Sequence, residues 1–301
     1  MHDDLVMQLS LLLESEHGYL GKKIKDYVSN WENDDNLKIP FELIDKTFKN
    51  REIDYIYFGN EFCEYKIPTR DQLKAMICLC EQESIKLALV TPVVTEYGIK
   101  KISELFDYLV SQKIKIDIVI NDVGVLELLM EKSVEGNPIL GRIFDKTSHD
   151  SRASLSEFES YYGENGKRFA MSPGIISKYS MEIFKRFGVE RYEFDLPKIG
   201  LNISDDCKKS LYWPFSYLTT GRVCLFRSLS LDGKKKFLVG DEACSKCCLK
   251  YEVVKRKPIN GYDNARDKKD LFLFQKGNTV FYINTGNVQI LNMFDRVILQ
   301  V

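Results

Sequence analysis

Histidine is nearly absent from the 301 residues: His2, His17 and His149 are the only three, and none stands in a Ser–His pairing or a His-Glu-x-x-His run. The usual machinery of serine and zinc proteolysis is therefore not visible, and a peptidase is the weaker expectation. No Gly-x-Gly-x-x-Gly follows a strand-like run and no phosphate-cradling glycine–lysine loop is present, which removes the common nucleotide motifs. Charge bias is missing as well. Lys plus Arg number 43 against 44 Asp plus Glu, a formal charge of -1, so nucleic acid or anionic lipid would need a local basic patch. The best apolar run, residues 87–94, is cut by Thr91 and Pro92 and falls far short of the roughly 20 residues that cross a bilayer. The start, Met1-His2-Asp3-Asp4, has neither the basic opening nor the long apolar stretch of a secretory signal, so no membrane association and a cytoplasmic location are expected.

What remains, 44% hydrophobic and 29% charged residues, describes a soluble globular chain with a full-sized core. Short β-branched and aromatic runs alternate with longer amphipathic ones. Strands are predicted at 53–58, 86–90, 116–120, 138–144, 168–171 and 191–194, and helices at about 70–84, 97–112, 123–131 and 175–187. Leu73, Ile77 and Cys80, and then Ile102, Leu105, Phe106 and Leu109, recur at helical spacing and mark buried stripes. Strands separated by single helices run parallel, and a chain of this length made of such units closes into an α/β barrel of the TIM type. Residues 1–50, with Leu5, Leu9, Leu12 and Leu13 on one face, are expected to form an N-terminal helical extension packed on a barrel that occupies 51–301. The chain turns irregular and Cys-rich after about residue 198, and ends on strand-like runs at 279–283 and 297–301. The basic runs Lys234-Lys235-Lys236 and Lys255-Arg256-Lys257 read first as a solvated face.

Eight cysteines are too sparse for a disulfide scaffold, and in a reducing compartment clustered thiols point to metal or redox chemistry. Cys244-Ser-Lys-Cys247-Cys248 puts up to three thiols on one loop, and Cys224 lies twenty positions upstream of Cys244. A thiolate tetrad suits zinc or an iron–sulfur cluster. The favoured fourth ligand is Cys63. It follows the 53–58 strand through Gly59-Asn60-Glu61-Phe62 and so lies at the carboxyl edge where barrel enzymes build their sites. Cys78 and Cys80 fall inside a helix, where Cys80 shares the buried stripe. By the same element map Glu61, Asn121, Ser172 and Asp195 lie near carboxyl ends of strands and are candidate substrate contacts, although Asp122 can simply cap a helix and Asp195 can organise a turn.

Several stretches carry a resemblance: Tyr57-Phe-Gly-Asn-Glu-Phe-Cys63, Ile118-Val-Ile-Asn-Asp-Val-Gly-Val-Leu126, Gly141-Arg142, Asp150-Ser-Arg152 and Thr219-Thr-Gly-Arg-Val-Cys224. They resemble the collagenase-like peptidase family U-thirty-two over about residues 51–300, and within it the UbiV-type anaerobic hydroxylation branch. The resemblance implies a barrel-like fold and a four-iron four-sulfur cluster on Cys63, Cys224, Cys244 and Cys248. Cys247 is an alternative for the last place and zinc an alternative for the cluster. It further implies a part in oxygen-independent hydroxylation or a related modification of a biosynthetic intermediate or RNA, beside a related partner subunit of the same family. Arg142, Arg152 and Arg222 could then meet carboxylates of an anionic small molecule, with structural ion pairs as an equal alternative. A metal-stapled barrel without turnover of its own is the competing reading.

Overall fold

Runs such as Ile116-Asp-Ile-Val-Ile120 favour extended backbone, and eight such segments close here into an all-parallel barrel. The computed structural model describes residues 7–15, 17–34, 37–147, 155–229, 231–239, 244–251, 253–255, 273–284 and 288–300. The chain proceeds from β1 (Gln8–Leu13) through α1 (Lys25–Val28) and α2 (Lys38–Phe48) to β2 (Tyr55–Gly59). Three regular units follow: α3 (Arg70–Glu83) with β3 (Lys86–Val90), α4 (Glu96–Ser111) with β4 (Ile116–Ile120), and α5 (Val123–Glu131) with β5 (Gly136–Leu140). Next come α6 (Leu155–Met171), α7 (Lys178–Lys185), β6 (Arg191–Phe194) and β7 (Lys208–Trp213). A separate antiparallel sheet is then inserted. It contains β8 (Phe215–Thr220), the short α8 (Leu225–Ser228), β9 (Val253–Lys255), β10 (Leu273–Lys276) and β11 (Thr279–Ile283), in the order β8-β11-β10-β9. Finally β12 (Arg296–Gln300) enters between β7 and β1, and the barrel closes as β1-β12-β7-β6-β5-β4-β3-β2.

Alternation along the strands divides the core in two. Leu9, Leu11 and Leu13, like Val297 and Leu299, join the large outer cluster under the helices. Leu12, Tyr57, Ala88, Val119, Ile139, Tyr212 and Ile298 fill the barrel itself. The stripe Ile102, Leu105, Phe106 and Leu109 is buried as its spacing predicts, each side chain stabilising the fold by about 1.5–3 kcal/mol. In α3 Leu73, Ile77 and Cys80 are buried while Cys78 is exposed. A Thr69–Gln72 capping box starts that helix, and the Asp122 side chain accepts from the Gly124 N–H to start α5.

The barrel interior is more polar than branched aliphatics alone would make it. Arg296 stacks on Tyr55 at 3.6 Å and donates to the Tyr57 hydroxyl at 2.7 Å and to Gln8 at 2.9 Å. Glu193 accepts from the Tyr212 hydroxyl at 2.9 Å.

Four expectations are corrected. The helical reading of residues 1–50 fails at its start, because Gln8–Leu13 is a barrel strand paired with both β2 and β12. A run of leucines satisfies a helical stripe and a buried strand equally, and here pairing on both edges decides. The barrel thus begins well before residue 51, and only the α1 and α2 segment behaves as an added helical element. Residues 168–171, expected as a strand, end α6 instead. The strand expected at 138–144 stops at Leu140 and gives way to a 3-10 turn, Arg142–Phe144. The expected irregular Cys-rich region is partly regular, since it contains the inserted sheet and returns β12 to the barrel.

Candidate metal centre at the barrel mouth

The loop after β2 is built for close approach. A Cβ on Gly59 (φ +133°) would lie 2.3 Å from the Val90 carbonyl oxygen, so only glycine fits there. Asn60 then folds the chain back, its side-chain oxygen accepting from the N–H groups of Phe62 at 2.9 Å and Cys63 at 2.7 Å while its amide donates to Glu14 at 2.7 Å. This fixes the Cys63 backbone at the barrel mouth.

The inserted sheet reaches the same place from the other side. Cys224 stands at the N-cap of α8, and Cys248 lies in the 3-10 turn Cys247–Leu249, entered through Lys246 in the left-handed region at φ 52°. Cys224, Phe226 and Cys248 pack together, with Cys247 against them. Asn278, in the β10–β11 turn, donates to the Phe62 carbonyl at 2.6 Å, and the Phe62 ring meets Tyr217 at 5.3 Å and Phe281 at 5.6 Å. Thiols from three distant stretches of chain thereby become electrostatic neighbours: Cys63 with Cys244 and Cys248, Cys244 with Cys224, and Cys248 with Cys224 and Cys244. The Cys247 sulfur instead pairs with the Ser245 hydroxyl at 3.1 Å.

All eight cysteines are free thiols. Burial pushes the Cys63 thiol up to about 12, against a backbone N–H bond from Tyr65 and the charge of Lys66. Burial also raises Cys244 and Cys248, with the Lys246 N–H opposing it at the first and Lys66 at the second. Among the described residues no three His, Cys, Asp or Glu side chains stand close enough to hold a single metal ion.

Beside Cys63 lies a small, partly open cleft. Glu14, Asn60, Glu61 and Lys66 line it from the barrel, and the Lys276–Thr279 turn lines it from the insert. Lys66, almost wholly buried, pairs with Glu14 at 2.6 Å. Burial pushes the Glu14 carboxyl up, but the charges of Lys276 and Lys66 outweigh it and leave the group below its ordinary value.

Behind the cleft sits Arg142, fully buried on the loop after β5. Its guanidinium holds Glu61 in a fork, Nε to Oε1 at 2.9 Å and Nη2 to Oε2 at 2.6 Å, and Nη1 reaches Asp195 at 2.6 Å. The Phe215 carbonyl at 3.3 Å and the Gln300 side chain at 3.0 Å take the remaining bonds. A guanidinium has five N–H donors, so none is left for a ligand. The same group stacks on Tyr212 at 3.7 Å.

Glu61, Arg142 and Asp195 are thus brought together, but into one closed ion-pair cluster. Asn121 is buried and ties neighbouring strand ends, donating to the Thr91 carbonyl at 2.9 Å and accepting from the Ile143 N–H. Ser172 follows α6 and not a barrel strand, and it donates to the Arg168 carbonyl and accepts from Asn202. Arg222 is exposed on the insert, two residues before Cys224. Arg152 lies outside the described residues. Glu14, Lys66, Lys276 and Gln300 escaped the sequence reading. Glu14 was recoverable, since an acid that closes the buried run Leu9–Leu13 sits at a carboxyl edge once that run is read as a strand.

No family model matches the chain, and no curated protein matches it. Among solved structures it is similar to the U32 peptidase Mk0906, with 12% identity and a TM-score of 0.38 over 98% of this chain and 92% of that one. It is also similar to a Plasmodium falciparum HPPK-DHPS variant, with 15% identity and a TM-score of 0.29 over 77% of this chain and 38% of that one.

Proposed function

We propose that this chain is an iron–sulfur protein in which Cys63, Cys224, Cys244 and Cys248 hold a four-iron four-sulfur cluster beside a ligand cleft at the barrel mouth. The observation that carries this reading is the approach of those four thiols from the β2 loop and the inserted sheet, with Cys247 packed beside Cys224 and Cys248. A four-cysteine donor set suits an iron–sulfur cluster, with zinc as the alternative. Such a group supplies one-electron chemistry. Lys66 places a fixed positive charge between the thiols and Glu14, offsetting negative charge that four thiolates would bring. Asn60 and Asn278 keep Cys63 and the insert in register. The cleft beside them is where a molecule would be bound, and Lys66 and Lys276 offset the charge of Glu14 in its lining.

Following the family resemblance of the sequence, the process served is oxygen-independent hydroxylation or a related modification of a biosynthetic intermediate or RNA, shared with a related partner subunit. One observation favours a second reading, a support subunit without turnover: Arg142, the best-placed cation behind the cleft, has every donor committed within the protein. Anaerobic purification followed by absorption and electron paramagnetic resonance spectroscopy and by iron and sulfide analysis tests the cluster. About four of each per chain are expected; a colourless, iron-free protein that cannot be reconstituted, or one holding zinc, would refute it. Metabolite and RNA mass profiles of cells grown without oxygen, with and without the protein, test the process.

A further inference from the structure

The outer face of the inserted segment carries an unusual surface. Leu229 and Phe237 are 71% and 74% exposed, and Leu225, Leu238, Leu249 and Tyr251 are exposed beside them. The segments that carry them adjoin, because α8 packs against both the Gly233–Phe237 turn and the Cys247–Leu249 turn, with Arg227 donating to the Leu238 carbonyl and Ser228 to the Lys236 carbonyl. The face is also basic. Among the described residues of 222–251, Arg222, Lys234, Lys235, Lys236 and Lys250 are exposed against one exposed acid, Asp232. Directly beneath lie Cys224 and Cys248, each only 8% exposed, packed on Phe226.

An apolar centre with a charged rim, in a patch of modest size, is the form of a transient electron-transfer interface. We propose that this face docks a small acidic electron carrier, of the iron–sulfur or flavin type, which delivers single electrons to the thiol-bound centre below it. The proposal rests on the cluster reading for its redox step. In that step one electron leaves the reduced carrier and enters the oxidised centre, with no bond or proton transferred. Nucleic acid is the poorer fit, because the patch is mostly aliphatic, with Leu225, Leu229, Leu238 and Leu249 beside the two rings of Phe237 and Tyr251. A lipid surface is the poorer fit as well, since the apolar residues come from three short turns and not from one amphipathic helix.

The test uses the full chain and an acidic plant-type ferredoxin as probe. Binding of the oxidised ferredoxin is measured by calorimetry at low and at 0.5 M salt, and reduction of the centre by reduced ferredoxin is followed by anaerobic stopped flow. Wild type should bind at low salt and lose the interaction at high salt. Lys234→Glu/Lys235→Glu/Lys236→Glu should weaken binding and slow reduction at least tenfold, with iron content and the end state reached with excess dithionite unchanged. Leu229→Ser/Phe237→Ser should raise the ferredoxin dissociation rate. Absence of wild-type binding, or a triple variant that binds and is reduced as wild type is, would overturn the proposal. So would charge-sensitive binding to anionic phosphatidylglycerol vesicles or to a single-stranded RNA oligomer in place of ferredoxin. The binding arm needs no cluster, so an iron-free protein that still binds ferredoxin through these lysines would refute the cluster and leave the docking face standing.

Discussion

Replacing Glu193 with glutamine asks whether the barrel interior stores a protonated acid. Glu193 is buried on β6 and accepts from the Tyr212 hydroxyl at 2.9 Å. Burial acts on it most strongly and the charge of Glu61 adds to burial. Hydrogen bonds from Tyr212 and Tyr57 and the charge of Arg296 oppose them, and the carboxyl ends pushed up to about 8 from an ordinary 4.5. Between those values the native protein holds a proton that the unfolded chain has released. Its contribution to stability is therefore complete below about pH 4.5, declines as pH rises toward 8, and is absent above that. At about 1.36 kcal/mol per unit, the swing is on the order of 3–5 kcal/mol. Glutamine keeps the shape of the neutral acid and cannot ionise. In urea unfolding at pH 5.5, 7 and 8.5, the stability of Glu193→Gln relative to wild type should rise by at least about 2 kcal/mol across the series. Taking the difference between the two proteins cancels the titration of every other group they share. A difference that stays flat within about 0.5 kcal/mol would mean that Glu193 is ionised in the fold, and the argument from burial would fail.

Other perturbations address the mouth. Arg142→Ala should cost about 3–5 kcal/mol in urea unfolding, because it leaves Glu61 and Asp195 buried without their cation; a loss below about 1 kcal/mol would contradict the closed ion-pair reading. Asn60→Ala removes the acceptor of the Phe62 and Cys63 N–H groups and should lower stability by about 1–3 kcal/mol while speeding iron loss to a chelator. Cys63→Ser should abolish or sharply reduce bound iron and Cys247→Ser should leave it near the wild-type level; the reverse ranking would reassign the ligands.

The repetitive part of the fold was legible because each unit repeats one physical rule. Strand spacing, the buried stripes of α3 and α4 and the cap at Asp122 are local, and the parallel barrel follows from them. The first strand was not legible, since Leu9 to Leu13 satisfies both periods and only its pairing with β2 and β12 distinguishes them. The cysteines could be picked out by composition and spacing, and Cys63 by its place after a strand. The fate of Arg142 could not be read that way: its five partners lie on Glu61, Asp195, Phe215 and Gln300, spread across the sequence. Ser172 was assigned to a strand end because residues 168–171 read as a strand, and they continue a helix instead.

The connection between β7 and β12 explains why mouth and thiols belong together. A parallel barrel needs a crossover there, and this chain makes it with a sheet and not with a helix. That sheet must pass the carboxyl edge, where β8 takes up the Arg142 bond at Phe215 and the Asp195 contact at the Tyr217 N–H. On the other side of the mouth, Asn278 and the Phe62–Tyr217–Phe281 rings fasten the insert to the β2 loop. The buried charge cluster, the aromatic contacts and the turn at Asn278 therefore act on one rigid relation, that of the insert to β2. Cys63 lies on one side of that relation and Cys224, Cys244 and Cys248 on the other. A side chain such as Arg142, which touches no sulfur, accordingly helps set the spacing of the thiols through the seat it gives the insert.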